Sequence, residues 1–193
     1  MPSRRAVLSW LSAVVAAAGV GPAPPRRAAA NQPVNAIVTF SILGDMVRQV
    51  GGERVEVTTL VGPDGDGHVY QPTPADAKAV GGAQIVFVNG LGFEGWIDRL
   101  IAAAAFKGPV VVASTGVAPR HMDAAEEPGH ALAGNREGPV DPHAWQDLKN
   151  GETYVRNIAG GLSAIDPEGA ATYWANAIWR RSRRPIAPFV PRW

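Results

Sequence analysis

The chain has 193 residues, 46% of them hydrophobic, and no cysteine. This excludes a thiolate metal site, a disulfide framework and a cysteine nucleophile, and leaves a globular chain long enough for one core. The formal charge of +1 averages unlike regions: residues 1–30 and 179–193 hold nine arginines and no acid, whereas residues 31–178 hold nine bases against 17 acids, a net charge of −8. Such an acidic body attracts cations and disfavours nucleic acid as a partner.

Residues 1–30 read as an export signal. Arg4-Arg5 form a basic start, Ala6 to Val20 are almost wholly apolar, and Ala28-Ala29-Ala30 offer small residues for cleavage. The run is too short and too rich in alanine for a membrane span. Ser3-Arg4-Arg5-Ala6-Val7-Leu8 also resembles a twin-arginine signal, so the general and the twin-arginine routes both stand. No cysteine follows to carry a lipid anchor, and a periplasmic protein is expected.

Val34 to Phe40, apolar and β-branched, predicts a strand. Ser41 starts a helix with Ile42, Leu43, Met46, Val47 and Val50 on one face, ended by Gly51-Gly52. Arg54 to Leu60 alternates as a second strand. Residues 62–76 contain three glycines and three prolines, which describes a loop of defined shape carrying His68. Thr73-Pro74-Ala75-Asp76 then caps a helix running to Val80 and closed by Gly81-Gly82. Ile85–Val88 is a fully covered strand and Asn89-Gly90-Leu91-Gly92 a turn. A helix burying Trp96, Ile97, Leu100, Ile101 and Ala104 follows, then a fourth strand at Val110–Val112. Together these predict an α/β fold, a four-stranded parallel sheet flanked by helices, with ligands beyond the carboxyl ends of the strands.

Residues 116–140 show no period and are expected to form a mobile loop. A sharper reading makes His121, Asp123, Glu126, Glu127 and His130 an accessory metal-collecting loop. Asp141-Pro142-His143-Ala144-Trp145 is a second proline-anchored turn with a histidine. A helix from Asp147 carries Val155, Ile158, Leu162 and Ile165, and Asp166-Pro167-Glu168 caps another with Tyr173, Trp174 and Ala177. Beyond Ala177 the chain is rich in Arg, Pro and Trp, either a basic tail or, preferred here, the product of a reading-frame change. The expected organisation is 1–30 export signal, 31–165 metal-binding lobe, 166–177 start of a linking helix and 178–193 atypical tail.

A lone loop histidine is usually a surface residue or a turn hydrogen-bonder. Two imidazoles on two rigid loops are what a divalent metal site requires, so His68 and His143 are the candidate ligands. The competing enzyme reading, a metal-dependent hydrolase, would use Asp141 or Glu94 as base. No His-Glu-x-x-His helix and no Gly-x-Ser-x-Gly elbow accompanies them, and no enzyme is expected.

Three stretches occur in order: Gly67-His68-Val69-Tyr70-Gln71-Pro72-Thr73-Pro74-Ala75-Asp76, Val88-Asn89-Gly90-Leu91-Gly92-Phe93-Glu94-Gly95-Trp96 and Asp141-Pro142-His143-Ala144-Trp145-Gln146-Asp147. With them the chain resembles the zinc/manganese-binding solute receptors of bacterial ABC importers, cluster A-I, over residues 35–177. The resemblance implies two α/β lobes joined by a long rigid helix, with the metal between them. It also implies that His68 and His143 are the first lobe's ligands, and that the second lobe adds a histidine or glutamate and a final aspartate or glutamate. This chain stops before either and is expected to be the first lobe alone. The implied function is a monomeric periplasmic receptor delivering zinc or manganese to an ABC permease in the inner membrane, impaired by loss of the second lobe. A non-functional truncated product is the alternative. An adhesin role, a label some receptors of this family have carried, has no sequence feature of its own here.

Overall fold

Among the described residues, the strands buried along most of their length lie in the middle of the sheet. In the computed structural model, which describes residues 32–122 and 138–179, β1 (Val34–Phe40) pairs on one side with β2 (Val55–Val61) and on the other with β3 (Ile85–Val88). β4 (Val110–Val112) adds to β3, giving the order β2-β1-β3-β4 with every pair parallel. β3 is buried along its whole length, as its unbroken Ile-Val-Phe-Val run requires. β2 and β4 form the edges, so Glu56 and Thr58 of β2 and Val110 and Val112 of β4 remain exposed.

Each crossover is a helix: α1 (Ser41–Gly51), α2 (Pro74–Gly81) and α3 (Ile97–Ala103). The chain moves from β1 outward to β2, then returns past β1 to β3. The strand order therefore reverses between β1 and β3, the position where open α/β sheets leave a crevice at their carboxyl ends. α4 (Leu148–Ile165) and α5 (Ala170–Trp179) pack with α1, while α2 packs with α3. Leu43, Val47 and Val50 of α1 and Tyr154, Ile158 and Leu162 of α4 are buried almost completely. Asp147 caps α4 by accepting the Lys149 N–H.

A bidentate ion pair ties the last elements to the first. Arg54 Nε and Nη2 donate to Asp166 Oδ2 and Oδ1 at 2.8 and 2.9 Å, and the Tyr173 hydroxyl donates to Oδ2 at 2.5 Å. The Arg54 guanidinium holds the Asp166 carboxyl down at about 2. Burial and that carboxylate push the Tyr173 hydroxyl up to about 12.

Four expectations need correction. The second strand is Val55–Val61, because Arg54 closes a 3-10 turn at Gly52–Arg54. Ile42 of α1 is 47% exposed, lying on the rim of a groove between α1, α4 and α5 instead of in the core. The ends of the 116–140 segment are ordered: β5 (Arg120–His121) pairs antiparallel with β6 (Val140–Asp141), a separate two-stranded sheet. The segment after Asp166 opens as a 3-10 turn at Pro167–Gly169 before α5 begins. The export signal, the centre of the 116–140 segment and the chain beyond residue 179 lie outside the described residues.

Candidate metal centre

His68 and His143 come from loops 75 positions apart in the chain, yet their Nε2 atoms stand 3.2 Å apart. The two loops share one construction. Each places an aspartate two residues before the histidine, and that carboxylate accepts the histidine backbone N–H: Asp66 for His68 at 2.8 Å, Asp141 for His143 at 2.9 Å. In each the carbonyl of the intervening residue accepts from a buried side chain. Trp96 Nε1 donates to Gly67 at 2.7 Å and Asn89 Nδ2 to Pro142 at 2.9 Å. Because the peptide bond is planar, fixing its carbonyl and its N–H fixes the position of the histidine Cα from which the ring departs.

Asp141 acts a second time, meeting His143 Nδ1 at 2.7 Å. The backbone N–H and then the imidazole hold the Asp141 carboxyl below its ordinary value. An ionised carboxylate only accepts, so Nδ1 carries a hydrogen toward Asp141, which leaves Nε2 as the nitrogen facing His68. A carboxylate on the far ring nitrogen is how metal-ligating histidines are commonly oriented. His68 Nε2 and His143 Nε2 share one hydrogen bond, and a metal ion would take the place of its hydrogen.

The spacing suits such an exchange. Two imidazole nitrogens on tetrahedral zinc, each about 2.0–2.1 Å from the ion, lie roughly 3.3 Å apart. Both rings rest on an aromatic floor. His68 meets the Phe93 ring edge-on at 4.5 Å between centroids, His143 meets Trp145 at 5.2 Å, and Phe40, Phe93 and Trp145 pack together at 4.7–5.0 Å. Gly67 permits this closeness, because a Cβ there would lie 2.6 Å from Phe93 Cε1. Tyr70 stacks edge-on against Trp96 and donates to Asp76, whose carboxylate also caps α2 through Thr73.

Beneath the His143 loop lies a polar cluster that is fully hydrogen-bonded. Glu94, 6% exposed, accepts from Thr39 Oγ1 and the Asn89 N–H through one oxygen, both at 2.6 Å, and from the Gly90 N–H through the other at 3.1 Å. Burial raises its pKa against those bonds. The Tyr154 hydroxyl, kept protonated by burial and the nearby Glu94 charge, donates to Asn89 Oδ1 at 2.6 Å. The chain folds Glu94 back through successive left-handed residues at Gly90, Leu91 and Gly92. With both oxygens engaged inside, Glu94 has no geometry for the general-base role that a hydrolase would need.

Among the expected accessory residues, His121 lies on β5 with Nδ1 2.8 Å from the Gly138 carbonyl. Asp123, Glu126, Glu127 and His130 are outside the described residues. Among the described residues no group of three or more His, Cys, Asp or Glu side chains is arranged to hold a metal ion. The pair at 68 and 143 would supply two of the four donors that a tetrahedral zinc site takes. Periodicity had no means of revealing Thr39 and Tyr154, which sit among buried strand and helix positions, or Asn89, which reads as part of a turn. The signal was polarity at positions that the strand and helix patterns bury.

Comparison with known proteins gives a consistent answer. The family described as ZnuA, zinc-uptake complex component A, periplasmic, matches residues 37–178. The manganese-binding lipoprotein MntA of Halalkalibacterium halodurans is 35% identical over 176 residues, 90% of this chain and 54% of that protein. The iron ABC transporter substrate-binding lipoprotein MtsA of Streptococcus pyogenes serotype M1 is 30% identical over 78% of this chain and 47% of its own length. A Mn-bound periplasmic metal-binding protein from Candidatus Liberibacter asiaticus superposes with TM-score 0.65 at 30% identity, over 76% of this chain and 51% of that one. The chain thus spans about half the length of the relatives it matches.

Proposed function

The chain belongs to the family of the periplasmic zinc-uptake component A, and from that premise we propose that it is the metal-receiving lobe of a substrate-binding protein. It captures a divalent transition-metal ion outside the cytoplasm for delivery to an ABC permease in the membrane. His68 and His143 are the two ligands it supplies. The observation that carries this reading is the convergence of their Nε2 atoms to 3.2 Å on two loops of identical construction. Residues 1–30 act as the export signal, 31–165 form the metal-binding lobe, 166–177 begin the linking helix, and 178–193 are a separate tail.

Relatives named for manganese and for iron support a divalent ion as the cargo. Within this chain, two imidazoles favour zinc over manganese, because nitrogen donors follow the order in which manganese binds most weakly. Two ligands and water hold zinc less tightly than a closed site of four. No observation supports the hydrolase alternative.

Protein stripped with a chelator is expected to gain thermal stability on adding zinc, and to gain less with manganese. A ligand at 100 times its Kd adds about 2.7 kcal/mol to a single-site protein. His68→Ala and His143→Ala should each remove that gain. A parent protein whose melting temperature ignores excess zinc, or alanine variants that respond as it does, would overturn the reading.

A further inference from the structure

We infer that Asn89 is a positioning residue for the metal centre: with its side-chain amide held by Tyr154 and its backbone N–H by Glu94, it sets where the His143 backbone, and with it the ring, stands. Asn89 is completely buried where the chain leaves β3, beside the reversal of strand order. Its amide has one possible orientation. Nδ2 faces the carbonyls of Pro142 and Gly90, both at 2.9 Å, and carbonyls only accept, so the NH2 end must point there. Oδ1 is left to receive the Tyr154 hydroxyl.

The consequence reaches the histidine through one peptide unit. The Pro142 carbonyl and the His143 N–H are the two ends of the same planar group, and they are held by Asn89 and Asp141 respectively. Asp141 lies on the short β6, outside the four-stranded sheet, and its side chain is one third exposed. Asn89 is the only one of these two partners rooted in the sheet. Glu94 provides that root, because its carboxylate bridges Asn89 to Thr39 at the end of β1. A metal site tolerates ligand displacements of about 0.2 Å, so a mount that fixes this peptide plane also fixes affinity.

The inference rests on the metal-capture reading for its effect on affinity, but its geometric content does not. Both are testable in the full chain. Asn89→Asp keeps an acceptor for Tyr154 and turns the two donors into an oxygen facing two carbonyls. Asn89→Ser is too short to reach Pro142. Ile158→Val, in the core of α4, serves as the stability control. Zinc affinity is measured by competition with a chromophoric chelator, and the His143 imidazole nitrogens are followed by NMR in the metal-free protein.

The expected result is a loss of zinc affinity of tenfold or more in both Asn89 variants, within the range known for outer-shell partners of metal ligands. A shifted or broadened His143 ring signal should accompany it, with Ile158→Val lowering the melting temperature and leaving affinity and ring signal unchanged. Folded Asn89 variants with parental affinity and ring signals overturn the inference. If the parent binds no zinc, the metal reading fails, while an unmoved His143 ring in Asn89→Ser still decides against the mount. If Asn89→Asp does not fold, Asn89→Ser supplies the same readings.

Discussion

The His68 and His143 loops are built alike in their backbones and differently in their rings. Each holds its peptide unit between an aspartate and a buried donor. Only His143 has its ring tied as well, through Nδ1 to Asp141, and the Asp66 carboxylate serves the His68 backbone. His68 gains its ring orientation from packing on Phe93. One ring is therefore aimed by a hydrogen bond to a carboxylate and the other by shape, which makes the first sensitive to polarity and the second to volume.

Substitutions that separate polarity from volume sharpen this contrast. The largest effect is expected from Asp141→Asn, which weakens both holds on His143 and should lower zinc affinity ten- to a hundredfold by chelator competition. Asp66→Asn, the matching change, disturbs only a backbone bond and should cost a few-fold at most. Equal losses in the two would break the comparison. Gly67→Ala tests shape: its Cβ would collide with Phe93, so the His68 loop must move. We expect a stability loss of about 1–3 kcal/mol in urea titration, together with a measurable drop in affinity.

The smallest effect on metal binding belongs to the clamp far from the site. Asp166 has its pKa lowered from 3.8 to about 2 in the fold, so its contribution is present above 3.8 and is lost as pH falls toward 2. Arg54→Met should flatten this part of the acid-unfolding curve and leave zinc affinity at neutral pH unchanged. Glu94 works in the opposite sense. Its raised pKa means that ionising it opposes folding, so its contribution fades as pH rises through the folded value. Glu94→Gln removes that dependence, yet puts an NH2 group against the Gly90 N–H and is expected to lower stability at neutral pH.

Much of the sheet was legible from its residue types: Ile85–Val88, buried on both faces, and the β-branched Val110–Val112 at an exposed edge fall at their expected bounds. The cap of α2 was legible for a similar reason, since Thr73, Pro74 and Asp76 each suit one position at a helix start. Ile42 misled because its helical spacing matches Leu43 and Val47, and spacing does not say how wide the covered stripe is. β5 and β6 escaped notice since two-residue strands carry no period. The two histidines were conspicuous as residue types on stiff loops. Their mounts, Asn89 and Trp96, act across 53 and 29 positions, and no local pattern records a hydrogen bond of that span.

The link between Arg54 and Asp166 joins positions 112 apart and so has a bearing on how the molecule is assembled. A growing chain cannot complete it until nearly all of the described lobe has emerged, and contacts of such long range slow folding. Any product released before Asp166 would carry an unanswered guanidinium, and one released before α5 an uncovered flank on α1. Synthesis and folding are thereby coupled at the far end of the lobe, well away from the rim where the imidazoles meet.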